Sequence, residues 1–66
     1  MDGYQEMYPD LYSKYGDVLS VMEVADYLDI SSNTAYTLLK KRRIRGRRVG
    51  GKWRITRKNL IDFLEK

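Results

Sequence analysis

Between Ser20 and Lys41 the chain encodes two short helices and leaves only Asp29 and Ile30 to join them. Ser20-Val21-Met22-Glu23 has the form of a capping box, in which the serine hydroxyl and the glutamate carboxylate each satisfy one amide at a helix start. This predicts a first helix over about Val21–Leu28, with Val24, Ala25 and Leu28 at helical spacing on its inner face. Ser31 is the next N-cap, and a second helix runs from Ser32 to about Lys41 with Ala35, Leu38 and Leu39 inward. A two-residue link permits nothing but a tight turn.

Two short helices so joined form a helix-turn-helix, an arrangement in which the second helix enters the major groove of DNA. The charge of the next segment strengthens this reading. From Lys40 to Lys58, eleven of nineteen residues are Lys or Arg and none is Asp or Glu. Residues 1–30 carry seven acids against one base, so the net charge of +4 conceals about −6 at the front and +10 behind. A field this concentrated points to a polyanion, and nucleic acid is the usual one.

Composition removes most other functions. Sixty-six residues make one domain. There is no cysteine and no histidine, so disulfides, thiolate metal sites and the commonest neutral-pH general base are excluded. No apolar stretch approaches the ~20 residues that span a bilayer. Asp2 and Glu6 make the N-terminus unlike a signal peptide. The expectation is a cytoplasmic, nucleoid-associated binding protein that is not an enzyme, takes no metal or cofactor and engages no membrane.

The C-terminal part alternates differently. Arg47-Arg48-Val49 and Trp53-Arg54-Ile55 flank Gly50-Gly51-Lys52, the signature of a hairpin. A two-residue turn would set Val49 opposite Lys52. A three-residue loop would set Val49 opposite Trp53 and Arg48 opposite Arg54, which gives an apolar inner face (Val49, Trp53, Ile55) and a basic outer one; this register is expected. Thr56 then caps a third helix from Arg57 to about Glu65, with Leu60, Ile61, Phe63 and Leu64 on its apolar side. Arg57 and Lys58 occupy its first turn, where the helix dipole disfavours cations, and a phosphate there would offset the penalty. Residues 1–17, rich in tyrosine (Tyr4, Tyr8, Tyr12, Tyr15) and interrupted by Pro9, form an N-terminal arm: a loose segment partly packed on the domain, or a surface for self-association along DNA. Residues 18–66 form the domain proper, mainly α with a small β-hairpin, in the order α-α-β-β-α.

Three segments carry a resemblance to a known family. They are Leu19-Ser20-Val21-Met22-Glu23-Val24-Ala25-Asp26-Tyr27-Leu28, Thr34-Ala35-Tyr36, and Arg48-Val49-Gly50-Gly51-Lys52-Trp53-Arg54-Ile55, completed by Leu60 and Phe63-Leu64. Together they resemble the excisionase family of small DNA-binding proteins, which share the winged helix-turn-helix of MerR-type regulators. The resemblance implies that the second helix lies in the major groove and the hairpin wing reaches the adjacent minor groove. It also implies binding and bending of DNA beside an integrase or recombinase during excision of a phage or mobile element. Members of the family often carry arginine where Ser32 and Thr37 stand, and glycine where Arg42 stands.

On this reading Ser32, Asn33, Thr34, Tyr36, Thr37, Lys40 and Lys41 face the major groove and its phosphates, with Asn33 able to pair bidentately with adenine. Arg48, Lys52 and Arg54 form the wing, and Arg43, Arg47, Arg57 and Lys58 add basic contacts. Trp53 alternates with Ile55 and is read as a core anchor. The alternative output is a small transcriptional regulator or autorepressor of a phage or plasmid. An RNA-binding module would use stacked aromatics beside basic residues; the capped helix pair argues for duplex DNA.

Overall fold

A computed structural model describes residues 3–66. Its elements are α1 (Tyr4–Met7), α2 (Pro9–Ser13), β1 (Val18–Leu19), α3 (Val21–Leu28), α4 (Ser32–Lys40), β2 (Arg47–Val49), β3 (Lys52–Thr56) and α5 (Arg57–Leu64). The fold is mainly helical with a three-stranded antiparallel sheet ordered β1-β3-β2, a winged helix-turn-helix.

The capping box forms as expected. The Glu23 amide donates to Ser20 Oγ at 3.2 Å and the Ser20 amide to Glu23 Oε1 at 3.0 Å, which fixes the start of α3. Ser31 Oγ accepts from the Thr34 amide at 3.1 Å and starts α4. Thr56 Oγ1 accepts from the Asn59 amide at 3.1 Å and starts α5.

Both helices of the pair end alike. At the close of α3, Asp29 takes a left-handed φ of 57°, and the Ile30 amide returns to the Ala25 carbonyl at 3.0 Å. At the close of α4, Arg42 takes φ 59°, its amide bonds the Leu39 carbonyl at 3.1 Å, and the Arg43 amide bonds the Leu38 carbonyl at 2.8 Å. These are Schellman closures, which glycine usually provides because it has no Cβ to strain. Here an aspartate and an arginine provide them.

Leu19, Val24, Ala35, Leu39, Ile44, Ile55, Leu60 and Ile61 form the core together with Leu11. Leu19 reaches it from β1, whose pairing with Ile55 of β3 the sequence pattern did not announce. Ile44 reaches it from the middle of the basic run, so the loop between α4 and the wing is anchored from inside.

Two expectations are corrected. The arm is not loose. Pro9 separates α1 from α2 as its missing amide requires, but Leu11 is fully buried and Tyr8, Tyr12 and Tyr15 pack against the core. Tyr15 donates to Asp26 and Tyr8 to Glu65, bonding the arm to α3 and to the end of α5.

The wing register is also different. Gly50 (φ 60°) and Gly51 (φ 81°) form a two-residue turn, both with the positive φ that a type I′ turn requires. Val49 therefore faces Lys52, Arg48 faces Trp53, and Arg47 faces Arg54. Arg48 shares the Trp53 face, and Val49 lies outside, 56% exposed. A turn whose twist matches that of the strands outweighed the burial of one valine.

Candidate nucleic-acid interface

The inner side of α4 is spent on Ala35, Leu38 and Leu39. Its other side presents Asn33, Tyr36, Thr37 and Lys40 to solvent, residues spaced three and four apart and hence in one row along the helix. Asn33 leads this row and its side chain is exposed. Thr37 comes next, but its hydroxyl donates to the Asn33 carbonyl at 3.0 Å within the same helix. That leaves Thr37 only an acceptor to offer, together with its methyl group. The Thr34 hydroxyl lies 2.9 Å from Ser31 Oγ and belongs to the cap. Ser32 is half-buried.

The wing and α4 share a groove. A cleft of about 250 Å³ is lined by Tyr36 from α4, by Met22 at the start of α3, and by Arg48, Lys52, Trp53 and Arg54 from the wing. Arg48 crosses the Trp53 ring at 5.7 Å from its centroid, a cation–π contact that braces the hairpin. Its guanidinium also approaches the Gly51 carbonyl at 3.5 Å. Trp53 is half-buried against the core, as its alternation with Ile55 implied.

A second and larger cleft, about 870 Å³, opens between the end of α4 and the wing. Lys40, Arg42, Arg45, Arg47 and Arg48 border it, with Leu39, Ile44 and Gly46 among its other lining residues. A cleft so rich in guanidinium groups has the charge to attract the phosphate backbone of a nucleic acid.

Of the eleven cations between Lys40 and Lys58, ten are exposed, Arg43 and Lys41 among them; Arg57 is the exception. Its guanidinium bonds Asp17 Oδ1 and the Tyr15 carbonyl, each at 2.9 Å, and lies over the Tyr12 ring at 4.2 Å. Within the protein, Asp17 compensates the unfavourable place of this cation in the first turn of α5. Lys58, beside it, stays in solvent.

Two residues that shape this surface lacked a signal of their own. Gly46 sits where a Cβ would lie 2.8 Å from Leu39 Cδ2 and 3.2 Å from both Ile55 and Trp53. Arg42 occupies the left-handed closure of α4 and so turns the chain from the helix into the cleft. Spacing reveals neither: the glycine lies in a run of arginines that reads as loop, and arginine is an unusual residue for a left-handed position, where the glycine that members of the resembled family carry is the one pointer.

Among the described residues, no group of three or more Asp, Glu, His or Cys side chains could hold a metal ion. No described helix is long and apolar enough to cross a membrane.

Two capped helices at a tight turn, a hairpin wing beside the second helix and a cationic surface continuous across both define a DNA-binding module. The family model for the helix-turn-helix domain matches residues 18–66, and the chain belongs to that family. No curated protein and no solved structure matches the chain.

Proposed function

We propose that the protein is an architectural double-stranded DNA-binding protein of the excisionase type, which binds and bends DNA for a phage or mobile element and acts beside an integrase or recombinase in the cytoplasm. The observation that carries this reading is the shared groove: Tyr36 of α4 and Arg48, Lys52 and Arg54 of the wing line one concavity. A duplex seated there meets the helix in its major groove and the wing in the next minor groove, so it is held on two faces. Bending repays its elastic cost with contacts made on both.

The chemistry of α4 favours this over an operator-reading autorepressor. Thr37 has given its only hydroxyl proton to the Asn33 carbonyl, so readout of base edges falls chiefly to Asn33. Affinity rests on phosphate contacts from Lys40, Lys41, Arg43, Arg47, Arg48, Lys52, Arg54 and Lys58, and from Arg42 at the border of the large cleft, with Ser32, Thr34 and Tyr36 positioning the helix on the backbone. Arg57 is held by the arm and is left out of the contact surface.

The test is duplex affinity against salt, followed by bend angle. With about six phosphates neutralised, log K falls against log salt with a slope near −5. Asn33→Ala lowers affinity for a selected site by roughly 1–3 kcal/mol and spares random DNA. A flat salt response removes the DNA-binding reading. A steep response with an unbent duplex leaves the regulator reading in its place.

A further inference from the structure

The outer face of the wing breaks a local rule. Arg47 and Arg54 stand directly opposite each other across the hairpin. Like charges at such a position destabilise a strand pair. The next residue of β2 on that face, Val49, is apolar and 56% exposed, and its cross-strand partner is Lys52. One exposed valine on a surface ordinarily means nothing. This one stands at the end of a projecting hairpin, among three cations.

The tip itself is bare. Gly50 and Gly51 have no side chains, and nothing lies within 4 Å of where a Cβ would stand on either. Val49 and Lys52 are thus the first side chains met by anything that receives the wing. A minor groove, about 6 Å wide, has sugar walls rich in C–H surface and phosphates at its rims. Arg47 and Arg54 lie two residues behind the tip pair, about 7 Å back along the strands, at the height of those rims.

We infer that Val49 is the wedge with which the wing distorts DNA. This rests on the DNA-binding reading above and adds to it a residue, a contact and a sequence preference. The valine presses between the sugar walls at one base step, and Lys52 lies beside it in the groove. Arg47 and Arg54 each take a phosphate, which relieves their mutual repulsion only in the complex. Apolar side chains inserted from the minor groove unstack a step and kink the duplex toward the major groove. The step most easily opened is pyrimidine–purine, TA or CA/TG. The wing then selects its position by deformability, without hydrogen bonds to base edges.

The experiment uses the full chain and a duplex selected by it from a random pool. 2-Aminopurine is placed at successive positions under the wing, and bend angle is measured by energy transfer between the duplex ends. Val49→Thr keeps the branched shape on an exposed strand and adds a hydroxyl; Val49→Ala removes the wedge. The parent is expected to raise 2-aminopurine fluorescence several-fold at one step and to prefer TA there by about tenfold over a stiff step. Both variants keep the parent salt slope and lose the fluorescence rise, the step preference and at least half of the bend. If both variants bend and unstack the duplex like the parent, the wedge is overturned while DNA binding stands. If the parent shows no salt-dependent duplex binding, the DNA-binding reading fails and the wedge with it.

Discussion

The Arg57 guanidinium lies 2.9 Å from the Asp17 carboxylate and fastens the first turn of α5 to the segment that leaves the N-terminal arm. The two partners are unequal: the Arg57 side chain is 17% exposed and that of Asp17 93% exposed. Removing each has a different cost. Asp17→Ala loses a solvent-screened carboxylate and should cost under about 1 kcal/mol. Arg57→Ala also loses the bond to the Tyr15 carbonyl and the packing on Tyr12, and should cost about 2–3 kcal/mol. Urea unfolding of both variants checks the ratio. DNA affinity of the folded Arg57 variant should stay close to the parent's, whereas Lys58→Ala should reduce the salt slope.

Alkali should release the arm. Hydrogen bonds to the carboxylates of Glu65 and Asp26 push the Tyr8 and Tyr15 phenols up to about 12. In the unfolded chain both ionise near 10. Their contribution is therefore complete below pH 10 and is lost as pH rises from about 10 to 12. Thermal unfolding followed across that window should show a falling midpoint, and the fall should be smaller in a Tyr8→Phe, Tyr15→Phe double variant.

Replacing Arg42 by glycine should separate stability from binding. The left-handed φ of 59° strains any residue with a Cβ. Arg42→Gly should stabilise the fold by about 0.5–1 kcal/mol, the gain being limited by the greater freedom of glycine in the unfolded chain. The same change removes one cation from the large cleft and should lower the salt slope by about 0.9. Denaturation and a salt titration on one sample check both signs.

Gly46→Ala should do the reverse. Its added methyl meets Leu39 Cδ2 at 2.8 Å and the Ile55 and Trp53 side chains at 3.2 Å where the loop lies against the core, and overpacking of this kind costs about 1–3 kcal/mol. Cations are all retained, so DNA binding by the folded fraction should keep its salt slope while the unfolding midpoint falls.

The parts of this structure legible in the sequence are those specified by neighbouring residues. Ser20 with Glu23, Ser31 with Thr34 and Thr56 with Asn59 are caps within one turn, and the starts of α3, α4 and α5 fell where those residues placed them. Contacts between distant residues were not legible. The Leu19–Ile55 pairing joins two strands across α3 and α4, and a two-residue strand has no periodicity to read. Leu11 enters the core from a segment whose tyrosines suggested a surface. For the interface, charge located the basic face and helical spacing located the outer row of α4. Which cation faces outward depended on turn geometry and on Asp17, forty residues from Arg57, and the linear pattern contains neither.

The Gly50-Gly51 turn has a consequence for inheritance. Trp53 and Ile55 are anchored from below, so β3 cannot rotate. If a third residue entered between the glycines and the turn kept its two-residue form, Gly50 would join β2 and that strand would slip by one position, bringing Val49 and Arg47 to the core side and Arg48 to the outside. A single in-frame codon insertion would therefore exchange the whole outward set of β2 without substituting any residue in it. Wings that align perfectly along their strands can display opposite surfaces if their loops differ by one residue. Diversification of this element can proceed by insertion and deletion as readily as by point substitution.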